Sequence, residues 1–338
     1  MLARSSEIIH PLGIKIETPI LIPSFSSKGF AFKTDSQSEI VDALEMSKEF
    51  LTESLLVSAY DLHHDHIPIS EENFCTEITI IDSGGYETSE IYDFSVTTKY
   101  SYPIKNWDKE LYLETLKKWP SHKSAIIVSF DDSKIRVALN DQIACARDLF
   151  EKFPLMLGNF LIKPETFKQR EVQIGNIVSS IDQLKEFPII GITEKELGNS
   201  ILTRMKNIQL IRKALDECGS KSVIHIFGSL DPITSVLYFL SGAEIFDGLT
   251  WLKYSYLQNN AIYQSNFGVL GDGLGIHVKD AQVRYKSITN NIYYLDKMKH
   301  IMKSFIASGD FKEFDELMGI NFGQTLEKNF NMFKSHLK

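Results

Sequence analysis

Cysteine is scarce in this chain. Three residues, Cys75, Cys145 and Cys218, are spread over 338 positions. That excludes a disulfide scaffold, and the lack of any Cys-x-x-Cys pair excludes the usual thiolate metal or redox motif. An odd, sparse count fits a reducing compartment and predicts a cytoplasmic protein. Long apolar runs are missing as well. None approaches the roughly 18 residues of a membrane span, so no membrane partner is expected. The N-terminal MLARSSEIIHPLGIKIE has no apolar core of signal-peptide length, which argues against secretion. Positive charge is in deficit: 36 Lys and Arg against 44 Asp and Glu leave a net charge of −8. Broad non-specific coating of nucleic acid is disfavoured, although a local basic groove is not. No internal repeat or low-complexity tract is present. With 43% hydrophobic and 24% charged residues, long disorder is excluded too.

What is present is alternation. Short β-branched or aromatic runs predict strands at 20–23, 54–59, 77–82, 125–130, 158–163, 187–192, 222–227 and 244–247. Helical patterns fall between them at 37–50, 108–118, 136–152, 166–186, 199–218 and 231–241. In 199–218, Ile201, Met205, Ile208, Leu210, Ile211 and Leu215 fall close to one face, and Gly219 stops the helix. Asp231-Pro232 reads as an N-cap followed by proline in the first helical position. Eight strands alternating with helices predict an α/β fold, a (β/α)8 TIM-like barrel. A doubly wound open sheet is the alternative. The absence of Gly-x-Gly-x-x-Gly and Walker loops after the strands weighs against it. The whole of 1–338 reads as a single barrel domain: barrel 18–250, an irregular insertion 251–287, and C-terminal helices 288–334 broken at Ser308-Gly309-Asp310.

Function in such a barrel sits at the C-terminal strand ends. Strand three ends in Asp82-Ser83-Gly84-Gly85-Tyr86, an aspartate followed by glycines that let a ligand approach the backbone, or else a turn with a helix cap. Strand four ends in Asp131-Asp132, able to bind a metal, cap a helix or accept a ligand's N–H groups. Strand six contributes Gly191, followed by Thr193 and Glu196; strand seven Phe227-Gly228-Ser229; strand eight Asp247-Gly248. Closure of the barrel brings these tips to one mouth. Two carboxylates with separate roles suggest glycosyl chemistry, one as nucleophile and one as acid/base.

These segments carry a resemblance. Thr18-Pro19-Ile20-Leu21-Ile22-Pro23, Ile81-Asp82-Ser83-Gly84-Gly85-Tyr86, Ser129-Phe130-Asp131-Asp132, and Ile190-Gly191 through Glu196 lie in order along the chain. His225-Ile226-Phe227-Gly228 with Asp231-Pro232, Ser241-Gly242-Ala243-Glu244-Ile245-Phe246-Asp247 and Asn290-Asn291-Ile292-Tyr293-Tyr294 follow. Together they resemble the tRNA-guanine transglycosylase family and its DNA-guanine transglycosylase relatives over nearly the whole chain. The resemblance implies exchange of guanine in nucleic acid for a 7-deazaguanine base, such as 7-cyano-7-deazaguanine, without strand cleavage. It implies that Asp247 is the nucleophile and that Asp82 handles protons on the two bases. Tyr86 matches a residue stacking on the base, and Phe227 one covering the other face. Asp131 matches the carboxylate reading the N–H edge, Gly191 a backbone contact, and Glu196 lies near the substituent of the incoming base. Ser83, Gly84, Gly85, Asp132, Lys163 and Gly228, on or beside the same segments, complete the candidate substrate-binding set.

The departures are equally informative. The family's zinc site needs a Cys-x-Cys-x-x-Cys cluster, and no cysteine follows Cys218, so the zinc subdomain is lacking and no metal or cofactor is expected. The Pro-Thr-Arg segment after the nucleophile is replaced by Leu249-Thr250-Trp251-Leu252-Lys253, and a glutamine at the fifth strand tip is replaced near Ile162-Lys163. With both recognition segments gone, DNA is favoured over tRNA as the polymer. A homodimer or partner proteins stay open. Three further clusters have two readings each. Asp61-Leu62-His63-His64-Asp65-His66 is either a metal site or loop polar groups. Trp251, Tyr254, Tyr256, Tyr263 and Tyr285 either stack unpaired bases or pack an insertion. Lys297, Lys299, His300 and Lys303 either touch phosphates or form a solvated helix face.

Overall fold

Eight parallel strands close on themselves. They are β1 (Ile20–Phe25), β2 (Ser54–Ser58), β3 (Ile78–Asp82), β4 (Ala125–Val128), β5 (Leu157–Ile162), β6 (Ile189–Thr193), β7 (Val223–Phe227) and β8 (Ile245–Gly248). β8 pairs with β1 on one side and β7 on the other, which completes the ring. The computed structural model describes residues 2–32, 38–70, 72–89, 104–258, 260–270, 275–319 and 321–335. The fold is the (β/α)8 barrel expected from the alternation, with C-terminal helices. Among the described residues, no helix is long and apolar enough to cross a membrane.

Strand alternation divides the core in two. One face of each strand points inward, and Ile20, Ile22, Leu56, Ile78, Ile80, Ile126, Val128, Leu157, Leu161, Ile189, Val223 and Ile245 fill the barrel. The other face, including Leu21, Phe25, Leu55, Val57, Ile81 and Phe246, packs against the helices. The bottom is stoppered by an N-terminal hairpin, Glu7–Ile9 paired with Lys15–Glu17, which sends Ile8, Ile14 and Ile16 into the inner cluster.

The helices depart from the periodicity in places. The predicted helix 37–50 is Ile40–Ser47, and residue 37 lies outside the described residues. The predicted 166–186 helix is two short ones, Ile174–Ser179 and Ile181–Leu184. Gln169 breaks the pattern, because its Oε1 accepts from the Glu165 and Thr166 N–H groups (2.9 and 3.1 Å) and folds 165–169 into a turn. The predicted 199–218 helix is Ile201–Glu217, with Met205, Ile208, Ile211 and Leu215 buried, but Ile201 and Leu210 face solvent. The predicted 231–241 helix is Thr234–Ser241, with Ile233 rather than Asp231 at its N-cap; Asp231 ties the turn ahead of it, Oδ1 accepting from Ile233 and Thr234 N–H.

The stretch 251–287 is less irregular than its composition suggests. It holds a short helix (Thr250–Lys253), a hairpin (Tyr254–Leu257 with Asn260–Tyr263) and a helix (Gln264–Leu270); residues 259 and 271–274 lie outside the described residues. A 29-residue helix, Asp280–Ser308, then begins eight residues before the expected 288 and packs against β1 and the first helix. Gly309 ends it at the expected break. Asn291, fully buried on this helix, clasps the segment leaving β8. It accepts from Tyr256 N–H (2.7 Å) and donates to Trp251 O (2.6 Å) and Tyr254 O (2.7 Å). Replacing it by leucine removes the partner of two buried backbone groups and one half-buried one. Asn291→Leu should lower unfolding free energy in urea by about 3 kcal/mol; a loss below about 1 kcal/mol would show that the clasp carries little stability.

Candidate active site at the C-terminal mouth

The inward positions stop being apolar near the top of the barrel. Counting by twos from the inner isoleucines reaches Ser24, Ser58, Asp82, Asn159, Lys163, Gly191, His225, Phe227 and Asp247. Alternation alone therefore points the polar tips into one volume.

Asp247 is the most constrained. It is 5% exposed, and three donors converge on its carboxylate. Ser24 Oγ donates to Oδ2 (2.7 Å), while His225 Nε2 (3.2 Å) and the Gly228 N–H (3.2 Å) meet Oδ1. Behind His225, Asn159 Nδ2 lies 2.8 Å from Nδ1, so a neutral imidazole carries its proton on Nε2 and donates to Asp247. Beneath this pair, toward the bottom of the barrel, is a cavity of about 50 Å³ lined by isoleucines including Ile20, Ile78, Ile126 and Ile245 and by the charged residues Lys15, Glu17, Glu53 and Glu77.

Asp82 sits on β3 and takes the Gly84 N–H on Oδ2 (3.3 Å). Burial pushes its carboxyl up to about 6, opposed by the Gly84 and Ser83 N–H groups and reinforced by the Asp247 and Asp131 carboxylates. Gly84 has φ +87°, and a Cβ there would lie 2.7 Å from Trp107 Nε1. The glycine permits both the left-handed turn and the seating of Trp107, whose Nε1–H donates to Ser83 O (2.8 Å). Beside Asp82, the buried Glu87 accepts from Ser26 Oγ and from Ser58 Oγ (2.7 Å). Burial, with Asp61 and Asp82 adding to it, holds the Glu87 carboxyl well above the ordinary carboxylate range.

Across the mouth runs a chain of alternating charge. Arg136 Nη1 meets Asp131 Oδ1 (2.9 Å), Lys163 Nζ meets Asp131 Oδ2 (3.1 Å) and Glu196 Oε1 (2.8 Å), and Thr193 Oγ1 donates to Glu196 Oε2 (2.6 Å). Burial works to lower the Lys163 pKa, but Asp131 and Glu196 outweigh it and the net shift is upward. Asp131 thus has a cation on each oxygen, and its Oδ2 would stand 2.7 Å from a Cβ at Gly85. Asp132 is not in this chain. It builds its own turn, Oδ1 accepting from Lys134 N–H (2.8 Å).

Phe227 lies flat on His225, with ring centroids 3.8 Å apart and planes 27° apart, and is 8% exposed. Gly191 makes that position possible: a Cβ there would fall 2.4 Å from the ring. Tyr86 stands on the short helix Gly85–Thr88 with Lys28 Nζ 4.6 Å from its ring centre.

Three two-way readings are resolved by the structure. The histidines at 63–66 do not gather as a ligand set. Asp61 and His66 are buried and bonded to each other (3.0 Å) and to Ser27, while His63 turns to Thr115 and His64 to Asn106 O. Among the described residues no metal-binding group of three such side chains occurs. The aromatic cluster splits: Trp251 and Tyr256 are core, whereas Tyr263 and Tyr285 are exposed. Lys299 and Lys303 pair with Glu53 and Glu17, which precede β2 and β1 at the opposite end of the barrel from the mouth. Lys297 and His300 pair with Glu316 and Asp296. Residues given no role by the sequence reading are Ser24, His225, Asn159, Glu87 and Arg136. The first three were open to discovery as polar residues on the inward parity of apolar strands. Arg136 and Glu87 lie outside strands and carried no such signal.

Fold and site together define a β/α barrel whose mouth holds two separately supported aspartates, Asp247 buried and Asp82 half-buried, beside a neutralised ion-pair chain. No protein-family model matches the chain, and no curated protein matches it.

Two measurements follow from this geometry. The Asp82 carboxyl rises from 3.8 to about 6 on folding, so the folded state binds the proton more tightly and stability falls as pH climbs through that window. The stability of Asp82→Asn relative to the native chain should accordingly grow between about pH 4 and 6. A pH-independent difference would remove the shift. For His225, nitrogen NMR should report the Nε2–H tautomer in the native chain; the Nδ1–H form would mean that Asn159 presents its oxygen instead.

Proposed function

We propose that this chain is a nucleic-acid guanine transglycosylase, exchanging guanine for a 7-deazaguanine base through a glycosyl-aspartate intermediate. The observation that carries the reading is the division of labour between Asp247 and Asp82. Asp247 is locked in orientation by Ser24, His225 and the Gly228 N–H. Asp82 has its carboxyl pushed up to about 6, where it both gives and takes a proton near neutrality.

In the proposed reaction an Asp247 oxygen bonds to the anomeric carbon as the bond to guanine N9 breaks, and Asp82 supplies the proton that guanine takes away. The incoming base gives its N9 proton to Asp82 and attacks the same carbon, and the ester to Asp247 opens. Two inversions return the new base on the original face of the sugar. Atoms balance, because the proton lost by Asp82 in the first half is recovered in the second. Oδ2 is the attacking oxygen: its one partner, the Ser24 hydroxyl, can rotate away, whereas Oδ1 is held by two donors. The target guanine must leave its stack to reach an aspartate inside the barrel. Its ring would lie between Tyr86 and Phe227, with its N–H edge toward Asp131. DNA is the favoured polymer, since the cysteine cluster and the Pro-Thr-Arg segment are both absent from the sequence. A divergent tRNA enzyme is the second choice.

The test offers purified protein labelled guanine together with bulk tRNA or duplex DNA, and follows label entering the polymer. Exchange should occur with the native chain and be lost in both Asp247→Asn and Asp82→Asn, by at least about 10³-fold, the scale on which removal of an essential catalytic group acts. Mass analysis after denaturation should find a protein–nucleic acid adduct on Asp247 and none in Asp247→Asn. An adduct mapped to Asp82 would reverse the roles. Binding without exchange would identify a non-catalytic nucleic-acid-binding subunit instead.

A further inference from the structure

Two apolar side chains stand out at the rim of the mouth. Phe167, in the loop after β5, is 66% exposed, and Ile135, in the loop after β4, is 57% exposed. Neither is on a loose tip. The turn under Phe167 is tied by Gln169, whose Oε1 accepts two backbone N–H groups and whose N–H reaches Thr166 O (3.1 Å). The turn under Ile135 is tied by Asp132 and by Arg136, whose Nη1 donates to Asp132 O (2.6 Å) and Ile135 O (3.1 Å). Arg136 also joins the two loops. Its guanidinium lies 5.3 Å from the Phe167 ring centre while bonding Asp131 in the mouth.

The charge around this pair differs from that of the molecule. Lys134, Lys168 and Arg170 are exposed on the same two loops, and among the described residues none of them has an ion pair. The acids nearby are engaged or withdrawn. Asp132 serves its turn, Glu165 accepts from Asn176 (2.5 Å), and Glu171 is half-buried. On a chain of net charge −8, three unpaired cations therefore flank a rigidly presented aromatic ring next to the proposed catalytic mouth.

An aromatic face meets a nucleobase, and cations spaced around it meet phosphates. We propose that the Phe167–Ile135 rim is the binding surface for a nucleic-acid strand opened at the target nucleotide. Phe167 stacks on an unpaired base next to the vacated position, and Lys134, Lys168 and Arg170 hold the flanking phosphates. The proposal rests on the transglycosylase reading, and it adds where the strand lies and what takes the place of the displaced stack. Pre-tied turns suit this task, because a ring already held in place loses little freedom on binding.

The experiment measures dissociation constants by fluorescence anisotropy for two duplexes, one fully paired and one with a single unpaired guanine, each as DNA and as RNA. The native chain should prefer the opened duplex. Phe167→Ala should weaken binding to the opened duplex by about tenfold or more, the usual scale of one lost base–aromatic stack, and change the paired duplex little. Phe167→Trp should restore it. Replacing Lys134, Lys168 and Arg170 together by glutamine should flatten the slope of log affinity against log salt by about 2–3. All these positions are exposed, and a thermal melt verifies folding of each variant. If the native chain binds and exchanges guanine while Phe167→Ala behaves identically, the rim assignment falls and the transglycosylase reading stands. Equal losses on both duplexes also overturn the stacking role. A native chain that binds neither polymer removes both.

Discussion

Everything at the mouth depends on one constraint: a closed ring of parallel strands leaves every second residue of each strand facing inward. Inward residues must fill the barrel, and the lower layers do so with isoleucine, leucine and valine. Where a strand places a polar residue on that parity near its C-terminal end, it enters a volume walled by hydrocarbon and open on one side. Asp82, Asn159, Lys163, His225 and Asp247 all arrive there in this way. Their hydrogen bonds follow from crowding, since a buried polar group without a partner costs more than a partnered one gains.

The electrostatics of the mouth follow from that burial. Several carboxylates are brought into one poorly hydrated space, and the fold separates their fates. Asp131 and Glu196 share Lys163, with Arg136 completing the neutral chain. Asp247 receives uncharged donors only when His225 is neutral, and Asp82 receives little beyond two backbone N–H groups. Asp82, like the buried Glu87 beside it, is therefore an acid whose proton affinity rises, while Asp247 is fixed in orientation by its three donors. In the proposed exchange reaction these are the properties required of a proton carrier and of a nucleophile.

The rim loops bring the same logic to the surface. Arg136 bonds Asp131 inside the mouth, clasps the β4 turn through two carbonyls and covers the Phe167 ring. One side chain thus couples the position of an inner carboxylate to that of an outer aromatic. A strand held at the rim and a base held in the mouth would share that support. The segment after β8 is secured separately, by Asn291 from the long C-terminal helix and by Trp251, whose Nε1–H donates to Ser24 O (3.1 Å) on the strand that also supports Asp247.

The sequence by itself determined the barrel. Eight apolar runs with helical patterns between them place strands within a residue or two of those observed, and the same alternation marks Asp82 and Asp247 as strand-tip residues. Local stop chemistry was legible too, at Gly309. Tertiary structure alone decided which groups meet. His225 looks like one polar residue in an apolar strand until β8 closes beside β7 and sets Asp247 against it. Lys163 was a candidate from the sequence, but its pairing and that of Arg136 with Asp131 are set only when the loops after β4 and β5 converge. The pattern over 166–186 suggested one helix because periodicity does not register a glutamine side chain competing for backbone N–H groups. Periodicity and capping are properties of neighbours along the chain, whereas the contacts of Asp247 with His225 and Ser24 join residues 22 and 223 positions apart, and closure of the barrel is what brings them together.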